Sequence, residues 1–184
     1  MPRYVALLRG INVGGKTAVP MAELRAELEK LGLGKVKTHL NSGNALFESS
    51  LEEAALEPMI EAALGVRFGF QIPVLVRSAE EIHAAAEGLP FSSEQIEYAQ
   101  EAAGDAASLY MTFLSAPLPA EAAQRMASLK KPGETYVQSG RILYLLLEHS
   151  IRACKLFSSM DKLDARATSR NWNTVSKLDD MLRG

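Results

Sequence analysis

An internal repeat restricts the folds open to this chain more than any other feature of its sequence. The segment Leu40–Phe47 aligns with Val137–Tyr144 at a constant offset of 97 residues, and both contain a Ser-Gly pair. The apolar runs Tyr4–Leu8 and Tyr110–Leu114 also align, at an offset of 106 residues. Because the two offsets differ by about nine residues, the first copy carries an insertion after its opening strand.

Apolar periodicity predicts the order strand, helix, two strands, helix, strand in the first copy. The predicted strands are Arg3–Leu8, Val36–Leu40, Ala45–Glu48 and Ile72–Val76. The predicted helices run from Pro20–Met21 to Leu31 and over Leu51–Leu64. This order is that of a ferredoxin-like unit, so we predict an α+β fold of two ferredoxin-like (βαββ-type) repeats. The repeats are expected to share a compact core and to end in C-terminal helices.

Three segments are predicted from these elements. The first ferredoxin-like half with its glycine-rich loop covers residues 1–77, a helical acidic connector covers 78–107, and the second half with C-terminal helices covers 108–184. Residues 51–108 hold eleven Asp and Glu against two Lys and Arg, and helical spacing predicts a solvated face for these carboxylates. The helices predicted in the second half lie near 119–130 and over Ile151–Leu163 and Thr174–Leu182.

The insertion falls on a glycine-rich basic loop that follows the first strand. Residues 10–17 satisfy the spelling G-x-x-x-x-G-K-[ST] of nucleotide phosphate loops. A working phosphate loop begins its helix within Gly-Lys-Thr, whereas Pro20 places the helix start further along. The helix also leads into a hairpin rather than a parallel βαβ unit, so a nucleotide phosphate loop is rejected.

The loop still suits an anion for simpler reasons. Its glycines permit close backbone approach to a ligand, and Lys16 supplies a positive charge. The alternative is a loop that needs its glycines only to turn. The second copy does without this insertion, which favours a binding role.

A second polar cluster surrounds the only tryptophan. Arg170 can grip a phosphate or carboxylate, Asn171 and Asn173 can hydrogen-bond a ligand, and Trp172 can stack on a ring. The alternative is that one of the asparagines caps a helix and that Trp172 belongs to an apolar stripe in the core.

Composition argues against several classes of protein. A single cysteine permits neither an intrachain disulfide nor a thiolate zinc cage, so a reducing cytoplasm is expected. No apolar run approaches the roughly 20 residues that span a bilayer, so no membrane partner is expected. The histidines show no metal-ligand spacing, and no metal is predicted; catalytic residues, cofactors and the oligomeric state stay unassigned.

These motifs together resemble the bacterial family catalogued as domain of unknown function 1697. The resemblance covers essentially the full length and rests on Ala6–Lys16, Met21–Leu24, Ser42–Asn44 and Arg170–Thr174. The family often has asparagine after the lysine. The Thr17 that completes the nucleotide-loop motif here therefore departs from the family pattern. The resemblance implies a paired ferredoxin-like α+β fold and no assigned activity.

The leading hypothesis is a cytoplasmic protein that binds a small anionic ligand, bearing phosphate or carboxylate and nucleotide-like molecules included. Whether it is an enzyme is left open. The predicted ligand-binding residues are Arg9, Gly10, Asn12, Gly14, Gly15, Lys16, Asn44, Arg170, Asn171, Trp172 and Asn173.

Two alternatives remain. One is a nucleic-acid-binding module whose exposed sheet face stacks bases on Tyr4, Phe47, Tyr110 or Tyr144; the alternative is that these rings alternate into the core. The net charge of −2 argues against it, because such domains usually have a pI above about 9. The other is a structural or partner-binding protein without a small-molecule site.

Overall fold

The computed structural model describes residues 1–155 and 166–184, which form two compact units. Unit 1 comprises residues 1–84 and 177–184, and unit 2 comprises residues 85–176. Each unit contains a four-stranded antiparallel sheet, so the fold is mixed α+β. The boundary at Ala84 falls inside the segment predicted as a connector. The end of the chain groups with unit 1 rather than with the second half.

The elements of unit 1 follow the predicted order. They are β1 (Arg3–Leu8), α1 (Met21–Lys30), β2 (Gly34–His39), β3 (Asn44–Glu48), α2 (Glu53–Phe68), β4 (Val74–Ser78) and the first part of α3 (Ala79–Glu87). The sheet has the order β2-β3-β1-β4. The predicted bounds of the first strand and the helix start at Met21 are confirmed. Helix α2 runs further than predicted, to a left-handed cap at Gly69 with φ 78°.

The core of unit 1 results from two periodicities in the sequence. Alternate residues of a strand point to one face of the sheet, and helix residues four apart share one side. The buried residues that follow these spacings are Tyr4, Ala6 and Leu8 of β1, Leu24 and Leu28 of α1, and Leu56, Ile60 and Leu64 of α2. Helices α1 and α2 therefore pack their apolar sides with the sheet into one core.

Helix α2 satisfies the edge strand β4 with carboxylates. The backbone amides of Val74 and Val76 donate to Glu61 and Glu57, at 2.8 and 2.9 Å. These two glutamates lie one helical turn apart on α2. The unpaired backbone groups of an edge strand can pair with another chain. The two carboxylates accept hydrogen bonds from two of these amides and so cover part of the edge from within the unit.

Arg77 anchors the same strand through a buried charge. Its fully buried guanidinium lies 3.3 Å from Glu53, 3.6 Å from Glu57 and 3.4 Å from Glu81, measured between nitrogen and carboxylate oxygen. A buried charge is tolerated only when it is paired. The network therefore ties β4 to both α2 and α3.

Unit 2 has the corresponding sheet order, β6-β7-β5-β8. Its elements are α4 (Ser93–Ala103), β5 (Leu109–Leu114), α5 (Ala120–Leu129), β6 (Glu134–Ser139), β7 (Ile142–Leu147), a 3₁₀ turn at Ile151–Ala153 and β8 (Ala167–Asn171). Helix α6 (Trp172–Arg183) begins in unit 2, and its last residues belong to unit 1. Ser92 and Gln95 form a reciprocal capping box that starts α4.

Two parts of the second half differ from expectation. Strand β8 was not predicted, because its sequence Ala-Thr-Ser-Arg-Asn lacks the apolar alternation of a strand, yet it pairs antiparallel with β5. Of the predicted helix Ile151–Leu163, the first residues form the 3₁₀ turn, and residues 156–163 lie outside the described residues. The last predicted helix is present and starts two residues before Thr174, at Trp172.

We predict that replacing Arg77 with alanine lowers the free energy of unfolding by about 3–5 kcal/mol, because three carboxylates lose their buried partner. Urea denaturation measures the loss. The matched control is Arg67→Ala, since Arg67 pairs with Glu23 and Glu27 but its side chain is 45% exposed. The control is expected to cost less than about 1 kcal/mol. Equal losses for the two variants would contradict an anchoring role for Arg77.

Candidate functional site

The insertion loop is fixed at its base by the side chain of Asn12. The Asn12 Oδ1 atom accepts a hydrogen bond from Val19 N at 2.8 Å. The Nδ2 atom donates to Val19 O at 3.1 Å and to Asn41 O at 2.7 Å. Asn12 has φ 55°, in the left-handed region that asparagine tolerates better than most residues. One side chain therefore closes the loop and joins it to the β2–β3 hairpin.

Gly43 lets that hairpin come close to the end of β1. The Leu8 amide donates to Gly43 O at 2.8 Å. Gly43 has φ 85°, and a Cβ atom there would lie 2.8 Å from both Leu8 Cβ and Ile11 Cδ1. Glycine is therefore required twice, for its backbone angle and for the close contact. The Ser42–Asn44 segment between β2 and β3 therefore contacts the base of the loop.

The loop tip presents backbone donors and a lysine. Thr17 closes the tip, since its hydroxyl donates to Val13 O at 3.0 Å and accepts from Val13 N at 3.3 Å. Gly14 and Gly15 both lie in the left-handed region, with φ 65° and 76°. Within residues 1–155 and 166–184, the amides of Gly14, Gly15 and Lys16 donate no hydrogen bond, and the exposed Lys16 ammonium has no ion pair.

The loop does not have the geometry of a nucleotide phosphate loop. Helix α1 begins at Met21, after Pro20, so its N-terminus does not coincide with Gly-Lys-Thr. Strand β1 pairs antiparallel with both of its neighbours. The expectations that the helix starts beyond Gly-Lys-Thr and that β1 is not part of a parallel βαβ unit are therefore confirmed.

The other predicted residues of unit 1 lie at the loop base. Arg9 is half-buried and Gly10 is exposed with φ 72°. Asn44 is completely buried, and its Nδ2 atom donates to His39 O at 2.8 Å and to Ser42 Oγ at 3.1 Å. Asn44, predicted as a ligand residue, therefore holds the hairpin closed.

In unit 2, Arg170 lies in strand β8 with its side chain buried. The guanidinium donates to Thr168 Oγ1 and to Ser169 O, both at 2.8 Å. Burial lowers the pKa of Arg170 to about 10, so the group stays charged at neutral pH. The Asn171 Oδ1 atom accepts from Thr174 N at 2.9 Å and caps helix α6. These hydrogen bonds give both side chains a structural role in unit 2.

The remaining predicted residues lie on an acidic cleft. Asn171, Trp172 and Asn173 line an open cleft of about 900 Å³ within unit 2. The charged residues of its lining are Glu97, Glu101 and Asp105. This wall repels phosphates and carboxylates, so the cleft is unsuited to the predicted anion. These carboxylates were expected on a solvated face, and only the fold shows that they share a concave surface.

The rings expected on an exposed sheet face are mostly buried. Tyr4 and Phe47 stack within the core of unit 1, with their centroids 5.9 Å apart. Tyr144 is buried and its hydroxyl donates to Ala85 O at 3.0 Å, while the half-buried Tyr110 packs on the core of unit 2. Burial raises the pKa of the Tyr144 phenol. The prediction that these rings form an exposed platform for bases is wrong for Tyr4, Phe47 and Tyr144.

In the described part of the chain, no group of three His, Cys, Asp or Glu side chains is placed to hold a metal ion. Across the same residues, no helix has the length and apolar character needed to cross a bilayer.

We predict that Asn12→Ala lowers the free energy of unfolding by about 1–2 kcal/mol, because three hydrogen bonds at the loop base are lost. The amide of Val19 should also exchange its hydrogen faster. The matched control is Asn173→Ala, an exposed asparagine expected to change stability by less than about 0.5 kcal/mol. Unchanged exchange at Val19 in Asn12→Ala would show that Asn12 does not hold the loop.

Comparison with known proteins places this geometry in a family. Among solved structures, the conserved bacterial protein SP0830 from Streptococcus pneumoniae is similar, with 30% sequence identity and a TM-score of 0.74. The similarity covers 100% of this chain and 99% of that chain. No curated protein matches the chain. The sequence model described as protein of unknown function (DUF1697) matches residues 1–144, which include the loop and the hairpin, and the chain belongs to this family.

Proposed function

We propose that the loop tip binds a small anion that bears a phosphate or a carboxylate, nucleotide-like metabolites included. The observation that carries the proposal is the run of amides at Gly14, Gly15 and Lys16, which make no hydrogen bond in the described part of the chain. Successive backbone N–H groups in turns with left-handed residues form concavities that bind anions. The Lys16 ammonium adds a charge beside them.

The fixed base makes such a site less costly to form. A loop that is ordered before binding loses less conformational entropy when the ligand arrives. Asn12 and Gly43 provide that order without occupying the tip. The insertion thus combines a rigid attachment with open donors.

The proposed site is smaller than the set predicted from the sequence. Gly14, Gly15 and Lys16 keep a proposed ligand role, whereas Arg9 and Gly10 lie at the loop base and the Arg9 amide donates to Pro73 O at 2.9 Å. Residues with internal hydrogen bonds or on the acidic cleft are left out of it, namely Asn12, Asn44, Arg170, Asn171, Trp172 and Asn173.

We also propose that both units are ferredoxin-like repeats of a bacterial cytoplasmic protein. The corresponding strand orders of the two sheets and the β-α-β-β-α-β order of unit 1 support the repeat. The bacterial source of the similar structure supports the origin. The presence of a single cysteine, the buried Cys154, supports a reducing compartment.

We predict that inorganic phosphate shifts the amide resonances of Gly14, Gly15 and Lys16 in a saturable manner in ¹⁵N-labelled protein. The titration is run at low ionic strength, because salt screens exposed charges. Lys16→Ala should weaken binding about threefold, the effect of losing one exposed charge interaction.

The matched control is Lys131→Ala, which removes an exposed loop lysine of unit 2. Its phosphate affinity should equal that of the unchanged protein. Equal weakening in both lysine variants would indicate an effect of net charge alone. Amide shifts that do not saturate, or that avoid the loop tip, would also contradict the proposal.

A further inference from the structure

The cleft of unit 2 has the size of a small-molecule site and is not used by the proposed anion site. Its volume of about 900 Å³ lies within the range of roughly 300–1,000 Å³ found for ligand pockets. The lining comes from α4, from the segment that joins α4 to β5, and from the junction of β8 and α6. The cleft therefore lies among three parts of unit 2.

The shape of the joining segment is fixed by Gln100. Its Nε2 atom donates to Gly104 O and Ala106 O, both at 2.9 Å. Its Oε1 atom accepts from Ser108 Oγ at 3.1 Å. Because one side chain fixes the segment at three points, this wall is formed before any ligand binds.

All charged groups of the lining are negative. Glu97 and Glu101 lie one turn apart on α4, and Asp105 follows the end of that helix. Among the described residues, none of the three carboxylates has an ion pair, and the lining contains no lysine, arginine or histidine. The C-terminal end of α4 adds further negative potential through its backbone dipole. The cleft therefore favours a cation.

Trp172 adds an aromatic surface to this acidic wall. It is half-buried and lines the cleft. Cations are attracted to the face of an indole, and methylene groups pack on it. The adjacent Asn171 oxygen caps α6 by accepting from Thr174 N, so it is already engaged.

We infer that the cleft binds a small organic cation with two or more amino groups, a di- or polyamine. Its ammonium groups pair with Glu97, Glu101 and Asp105, and its methylene chain lies against Trp172. Within the described residues no carboxylate cluster is placed to hold a metal ion, so separated charges on a flexible chain fit better than one divalent ion. This site rests on the cleft alone and is independent of the anion site.

The test uses the fluorescence of Trp172, which is the only tryptophan of the chain. Spermidine is titrated at low ionic strength, and succinate and Mg²⁺ are titrated separately. A saturable change in emission with spermidine, and none with succinate, is the expected result. An equal response to Mg²⁺ at matched ionic strength would overturn the inference, because it would reflect charge screening or a metal.

Variants locate the binding. Glu97→Gln with Glu101→Gln should weaken spermidine binding roughly tenfold, since two exposed charge interactions are lost. The matched control is Glu94→Gln, an exposed carboxylate on the same helix outside the cleft, which should bind as the unchanged protein does. Calorimetry of Trp172→Phe gives a second readout, with weaker binding expected. Unchanged affinity in the double variant would contradict the inference even if the emission responds.

Discussion

The attachment of the insertion loop to the β2–β3 hairpin is the constraint on which the proposed site depends. Asn12 supplies three hydrogen bonds, and Gly43 allows the hairpin to contact Leu8 and Ile11 directly. Without this attachment, a glycine-rich loop would lose much of its order. Ordering it again when an anion binds would then cost conformational entropy. With it, the amides of Gly14 and Gly15 are held open while the base stays closed.

Charge divides the predicted ligand residues into two groups. Lys16 and the tip amides lie in unit 1, whereas Asn171, Trp172 and Asn173 lie in unit 2 beside three carboxylates. Charges of one sign raise the local concentration of ligands of the opposite sign and repel the others. The two groups therefore suit different ligands. We therefore propose an anion site on the loop and a cation site in the cleft in place of one combined anion site.

Much of unit 1 could be predicted from the sequence because its signals are local. A short apolar run predicts the strand Arg3–Leu8, and Pro20 predicts the start of α1. Strand β8 could not be predicted, since its strand conformation comes from pairing with β5 rather than from its own residues. The roles of Asn44 and Arg170 could not be predicted for a different reason. The sequence alone does not distinguish a polar side chain that binds a ligand from one that hydrogen-bonds to a backbone carbonyl of the protein.

The most direct test of the central claim is a crystal structure determined in the presence of inorganic phosphate. The account predicts a phosphate at the loop tip, with its oxygens about 2.7–3.2 Å from the amide nitrogens of Gly14, Gly15 and Lys16. Asn12 should keep its bonds to Val19 and Asn41 in that structure. Phosphate bound elsewhere, with those amides turned to the loop's own carbonyls, would contradict the account.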